Sequence, residues 1–159
     1  MELRELKESN KSCIFHVYSV LKHLEFEYPG FKQWFFAKVV PGIAEGTRRI
    51  FVVLDGDTIA ATLILKDSDE KKICTLRVSE KYRNKGIGAQ LLVLACHELR
   101  TAFPLVTVPE SHISDFARLF QKYHFSLQKV YPDYYTQNSI EYCFNGVLNE
   151  DEGNNHCCA

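Results

Sequence analysis

One short segment constrains this chain more than any other: Thr75-Leu-Arg-Val-Ser-Glu-Lys-Tyr-Arg-Asn-Lys-Gly-Ile-Gly-Ala89. A β-rich run from Lys72 to Val78 passes through a polar, basic loop. An apolar periodicity follows at Ile87, Leu91, Leu94, Ala95, Leu99 and Ala102. The pattern predicts strand, loop and long helix, stopped by Pro104. Gly86 and Gly88 let backbone N–H groups approach a ligand closely, and the helix start supplies free donors and a positive dipole end. With Arg83 and Lys85 beside them, these groups predict an anion site suited to a pyrophosphate. A bare Gly-x-Gly would serve a tight turn equally well; the basic residues and the strand–loop–helix context decide for a ligand. The Walker-loop spacing is missing, and Leu91 stands where a dinucleotide fingerprint needs its third glycine.

The rest of the chain reads as a mixed α+β domain. Met1 to Lys7 is a first strand or a lead-in to a helix. Ser9 or Asn10 can cap a helix through Ile14, Val17, Tyr18, Leu21 and Leu24, broken by Pro29-Gly30. A second short helix, Phe31 to Val39, is expected to end at Pro41-Gly42. Arg49–Leu54, Thr58–Lys66 and Lys72–Val78 form an antiparallel meander, with a tight turn at Asp55-Gly56. Leu105–Val108 is a strand, His112–Tyr123 a helix with Phe116, Leu119, Phe120 and Tyr123 at helical spacing, and Ser126–Val130 and Ser139–Phe144 close the sheet. Strand–helix–strand around Gly86 predicts a crossover unit in a mixed sheet.

The 159 residues fit one domain, expected over 1–148, with 149–159 a polar, frayed tail. Nineteen basic and 20 acidic residues are well mixed, which argues against a dedicated nucleic-acid binder. No apolar run is long enough to span a bilayer, and the N-terminal MELRELKESNK is charged, so the expected location is the cytoplasm, away from membranes. None of the six cysteines has zinc-ligand spacing, and no metal site is expected.

Arg83-Asn84-Lys85-Gly86-Ile87-Gly88 resembles the Arg/Gln-x-x-Gly-x-Gly/Ala motif of the GNAT N-acetyltransferase superfamily. Phe120-Gln121-Lys122-Tyr123-His124-Phe125 is similar to the family's helix-end signature, Tyr-Glu-Lys-x-Gly-Phe. The order of elements also matches over roughly Leu3 to Gly146. The resemblance implies a central, mostly antiparallel sheet of six to seven strands flanked by about four helices, with acetyl-CoA as co-substrate. Leu76, Arg77 and Val78 would pair through their backbone with the pantetheine arm as an added strand. The N–H groups from Asn84 to Ala89, with Arg83, would hold the pyrophosphate, and Phe116 and Phe120 would line the cofactor site. The Val78 N–H would polarise the thioester carbonyl and stabilise the oxyanion.

The chain departs from the family at three places. Phe120 stands where a Tyr often protonates the leaving thiolate, leaving Tyr123 or water for that task. Ile113 stands where an Asn is usual, with His112 or Ser114 as replacements. His124 replaces a Gly, which an ordinary backbone conformation would tolerate. For the base that deprotonates the acceptor, Glu110 after the strand Leu105–Val108 is the first candidate and Glu80 the second. Glu25, Glu27 and Trp34 lie in the segment that walls the acceptor site in this family, and Tyr134 and Tyr135 fall in a late loop expected near it.

Three functions are compatible with these readings. One is acetylation of a primary amine on a small molecule or peptide, by direct attack in a ternary complex. The second is a macromolecule modifier acting on protein or aminoacyl-tRNA, and the third a cofactor-binding module without turnover. The oligomeric state stays open, a homodimer included.

Overall fold

The structure, a computed structural model, describes residues 1–149. The expected tail, with Cys157 and Cys158, lies outside the described residues apart from Asn149. Seven strands form one sheet in the order β1-β2-β3-β4-β5-β7-β6. They are β1 (Glu2–Leu6), β2 (Arg48–Asp55), β3 (Thr58–Asp67), β4 (Lys71–Val78), β5 (Leu105–Pro109), β6 (Leu127–Pro132) and β7 (Ile140–Phe144). Every pairing is antiparallel except β4 with β5. The N-terminal segment is therefore an edge strand. The β2–β3 hairpin turns at Gly56, whose φ of +60° a residue without Cβ adopts at no steric cost.

Helices cover both faces. Val, Ile and Leu alternate along β2 and β3, so the sheet buries two apolar faces. Ile50, Val52, Leu54 and Ile64 meet α1 (Lys11–Leu21) and α2 (Phe31–Trp34) on one face. Phe51, Leu63, Leu65 and Leu76 meet α4 (Ile87–Glu98) and α5 (Ile113–Lys122) on the other. A π turn, Phe35–Val39, joins α2 to α3 (Val40–Glu45), so four helical bodies flank the sheet.

Pro41-Gly42 does not end the second helix, as the sequence suggested. Pro41 lies inside one continuous helical run from Phe31 to Glu45, directly after the π turn, whose wider spacing accommodates a residue that donates no N–H. The helix stops at Gly46, at φ +77°. Gly42 is needed for close packing, since a Cβ there would lie 2.3 Å from Arg48 Cγ. Asn10 does occupy the N-cap of α1, but its side chain caps nothing; its Oδ1 accepts from the Lys7 N–H at 2.7 Å, closing the preceding turn. Ala102 lies past the end of α4 and is exposed, while Leu92, which the periodicity omitted, is buried.

The family-like helix end of α5 is a Schellman motif. The Phe125 N–H donates to Phe120 O at 2.8 Å and the His124 N–H to Gln121 O at 3.2 Å. The Phe120 and Phe125 rings meet at 5.0 Å, the hydrophobic contact that accompanies the motif. This puts His124 at φ +59°, so the ordinary conformation that would tolerate a residue in place of Gly is not the one adopted. The position demands a left-handed residue, and His124 adopts that geometry with a Cβ.

No helix among the described residues is long and apolar enough to cross a membrane.

Candidate active site

The parallel pairing of β4 with β5 covers only Lys72–Leu105 and Ile73–Val106. From Thr75 to Val78 the strand stays paired with β3 on one side, while its other edge has parted from β5. A sheet that opens within its own plane leaves backbone groups without ladder partners, a ready template for an extended ligand.

A cleft of about 370 Å³ occupies this opening. Leu76, Arg77 and Val78 form its floor, and Tyr82, Arg83, Asn84, Gly86, Ile87 and Gly88 one wall. Ser114, Asp115, Phe116, Arg118 and Leu119 of α5 form the facing wall. Gly86, at φ +80°, is the N-cap residue of α4, and no side chain caps the helix. Its first-turn N–H groups therefore face a site whose only competitors are water and ligand. A Cβ at Gly86 would meet nothing within 4 Å, and one at Gly88 only Val78 Cγ2 at 3.9 Å, so this is open space. The loop is braced from behind by the Tyr82 hydroxyl, which donates to Asp55 Oδ2 at 2.8 Å. The Arg83 Nε–H donates to Val78 O at 3.3 Å, tying loop to strand.

Several expected cofactor residues sit elsewhere. Lys85 and Ala89 do not line the cleft; Lys85 holds its ammonium 5.4 Å from the Tyr82 ring centre. Phe120 is 3% exposed, packed against Phe116, Phe125 and Phe144, because the helix-end motif turns its ring into the core. Tyr123 is half-buried beside the same core and Glu110 is exposed on the turn after β5; neither lines the cleft. Of the two replacements for the missing Asn, Ser114 lines the cleft and His112 does not.

His112 belongs instead to a second polar assembly, on the other face of the sheet. Its Nε2 lies 2.8 Å from Glu27 Oε1. The second Glu27 oxygen lies 3.7 Å from Arg77 Nη2. Next along the chain, the Tyr28 hydroxyl donates to Glu141 Oε1 at 2.7 Å. Glu141 is 1% exposed, and burial pushes its carboxyl up to about 7; hydrogen bonds from Tyr28 and Thr107 and the charge of Lys72 pull the other way, and Glu27 adds to the rise.

The other expected acceptor residues divide around this assembly. Tyr135 is buried edge-on against Tyr28 at 5.1 Å, and Tyr134 packs between Tyr131 and Tyr135. Trp34 is buried in the first core beside Phe31. Glu25 is exposed, accepts from the Tyr18 hydroxyl at 2.7 Å and borders a separate hollow with Lys32 and Phe36. No group of three or more His, Cys, Asp or Glu residues able to hold a metal occurs among the described residues.

Comparison with known proteins matches this architecture. The sequence model of the acetyltransferase (GNAT) domain matches residues 46–127, from the start of β2 through α5. The chain belongs to the GNAT acetyltransferase family. Among solved structures, an aminoglycoside 6′-N-acetyltransferase complexed with coenzyme A covers 91% of this GNAT chain and 95% of its own, with TM-score 0.67 and 12% identity. A Bacillus subtilis acetyltransferase in complex with CoA covers 70% and 85%, at TM-score 0.53 and 18% identity. A chimeric spermidine N-acetyltransferase from Vibrio cholerae and a second source covers 91% and 94%, at 0.64 and 14%. At such identities the likeness is one of fold. No curated protein sequence matches the chain. The matched span contains the whole glycine loop and leaves out Glu141 and both late tyrosines.

Tyr82, Asp115, Arg118 and Leu119 were not singled out as cleft residues from the sequence. A helix facing the loop was foreseen, so its exposed face could have supplied Asp115 and Arg118 beside Ser114. Glu141 carried no local signal: it is one acidic residue in an apolar strand.

Proposed function

We propose that this GNAT domain transfers an acetyl group from acetyl-CoA to the primary amine of a small-molecule acceptor, by direct attack in a ternary complex. The observation that carries the reading is the parting of β4 from β5 directly beside the uncapped start of α4. An extended arm ending in a pyrophosphate fits both features at once. Acetyl-CoA supplies the activated acetyl group as a thioester.

In this reading the backbone of Leu76, Arg77 and Val78 pairs with the pantetheine arm, and the N–H groups of Asn84 to Ala89 with Arg83 hold the pyrophosphate. The Val78 N–H donates to the thioester oxygen, where charge develops during transfer. The amine must lose a proton to attack. Glu110 and Glu141 stand at the same end of the sheet, since Glu141 pairs with Pro109 in register. Glu110 is exposed on the turn after β5, away from the cleft lining. Glu141 does not line the cleft either, but its carboxyl, raised to about 7 and with Oε2 free of hydrogen-bond partners, is matched to that task, and in this reading it takes the role expected of Glu110. Tyr123 stands off the cleft lining, so water protonates the departing thiolate.

The test is a thiol-release assay with acetyl-CoA and a panel of primary amines, run beside calorimetric titration of acetyl-CoA. The reading requires a one-to-one binding heat and CoA release that depends on an amine. Absence of any binding heat would overturn it.

A further inference from the structure

Three arginines among the described residues are largely buried, Arg48, Arg49 and Arg77, and the last two are treated differently. Arg49 is fully engaged: its Nε donates to Glu5 at 2.8 Å and its Nη1 to Glu98 at 2.5 Å. Arg77 is not. Its side chain is 16% exposed, and its Nε and Nη2 are buried without a hydrogen-bond partner among the described residues. The one carboxylate near it, Glu27, stands at 3.7 Å, beyond hydrogen-bond reach, because its other oxygen is held by His112 at 2.8 Å. A purely structural ion pair would close to the geometry of Arg49.

The surroundings of Arg77 repeat the pattern with opposite sign. Glu27 Oε2 and Glu141 Oε2 are also buried without hydrogen-bond partners. Buried polar atoms are satisfied in the great majority of cases, so a cluster of exceptions asks for a cause. Trp34 Nε1 and Thr75 Oγ1 are buried likewise, but the group around Arg77 is bipolar: two guanidinium N–H donors and two carboxylate acceptors beside the cleft that Arg77 lines. A planar guanidinium with two free adjacent donors matches a carboxylate, while free carboxylate oxygens match an ammonium.

We infer that the acceptor amine carries a carboxylate, as an amino acid does, and that Arg77 anchors that carboxylate while the Glu27–Glu141 side receives the amino group. A purely cationic acceptor would place its second charge against Arg77. The inference rests on the acetyl-transfer reading, narrows its acceptor, and makes Arg77 a specificity residue through its side chain as well as a cofactor contact through its backbone.

The test uses matched pairs of amines differing only by the carboxylate: lysine and cadaverine, phenylalanine and phenethylamine, tryptophan and tryptamine. Thiol release is measured with the intact protein, and direct binding of each amine to the CoA-loaded protein by calorimetry. The carboxylate-bearing member should be preferred about tenfold or more in kcat/KM or affinity. Arg77→Gln should erase the preference, raising the acceptor KM far more than the KM for acetyl-CoA, and Arg77→Lys should retain part of it. Equal use of both members, or a change confined to the acetyl-CoA KM, would overturn the assignment. Should Arg77→Gln fail to fold, the wild-type pair ratios and Arg77→Lys still decide. If acetyl-CoA binds but no carboxylate-bearing amine binds or reacts, this inference falls while the cofactor reading stands; absence of acetyl-CoA binding removes both.

Discussion

The two polar regions of this domain are built on opposite plans. The cleft side is assembled from consecutive residues: a strand end, a glycine loop and a helix start within Leu76 to Gly88, open to solvent and rich in unfilled N–H groups. The interior side is assembled from Glu27, Arg77, His112 and Glu141, which come from four separate elements and are largely shielded from water. Arg77 belongs to both, and Asp115 of the cleft wall reaches His112 Nδ1 at 3.3 Å. The first plan is a generic anion trap whose energy comes from backbone dipoles, and it survives side-chain change. The second depends on individual side chains in low dielectric, where each unmet partner is costly. In the proposed reading, cofactor binding belongs to the fold and acceptor choice to this chain.

Substitutions can break that division. The largest effect should come from Gly88→Glu. Residue 88 has ordinary helical geometry and open space around it, so the fold tolerates a side chain while a carboxylate enters the anion site. Acetyl-CoA affinity should fall by about 100-fold or more, roughly 3 kcal/mol, with the thermal midpoint nearly unchanged. Calorimetry and a melting curve check both halves.

Next in size is Glu141→Gln. Loss of a general base should lower kcat by ~100-fold, while acetyl-CoA affinity stays intact. In the native protein kcat/KM should rise with pH through about 7, as the Glu141 carboxyl ionises, and that limb should vanish in the variant. Glu110→Gln should leave the limb in place.

The same carboxyl predicts a stability profile. Its value in the fold is raised from 4.5 to about 7, so the folded state holds the proton more tightly than the unfolded chain. Stability from this group is complete below about 4.5 and is lost as pH climbs through about 7, a swing of up to about 3 kcal/mol. Denaturant midpoints at pH 5 and pH 8 should converge in Glu141→Gln relative to the native protein.

The smallest effect is His124→Gly. Relieving a Cβ at φ +59° in the Schellman turn should stabilise the fold by ~1 kcal/mol and leave both polar regions untouched. Urea denaturation measures it.

This division also explains what was legible in the sequence. Alternating apolar strands, the Asp55-Gly56 turn and the loop at Gly86 announce themselves within a few residues, and the meander and the uncapped helix start beside the cleft follow. Features that depend on pairing across the chain do not. The run-on of the second helix through Pro41 turns on a π turn that propensity does not encode, and the left-handed His124 turns on a helix end whose residue type argued otherwise. Glu141 becomes informative only when folding brings it beside Tyr28, 113 positions away. The departures at Phe120 and Ile113 were visible, but not the reason Phe120 is an aromatic core residue, which lies in its contact with Phe125.

In the proposed binding mode, acetyl-CoA lies along the parted edge of β4 with its pyrophosphate at the start of α4. Amide hydrogen exchange, with and without acetyl-CoA, tests it most directly. The account predicts new protection at Leu76 to Val78 and at Asn84 to Ala89, with little change in β1 and β2. Binding that leaves both segments unprotected, or protection confined to another part of the chain, would contradict it.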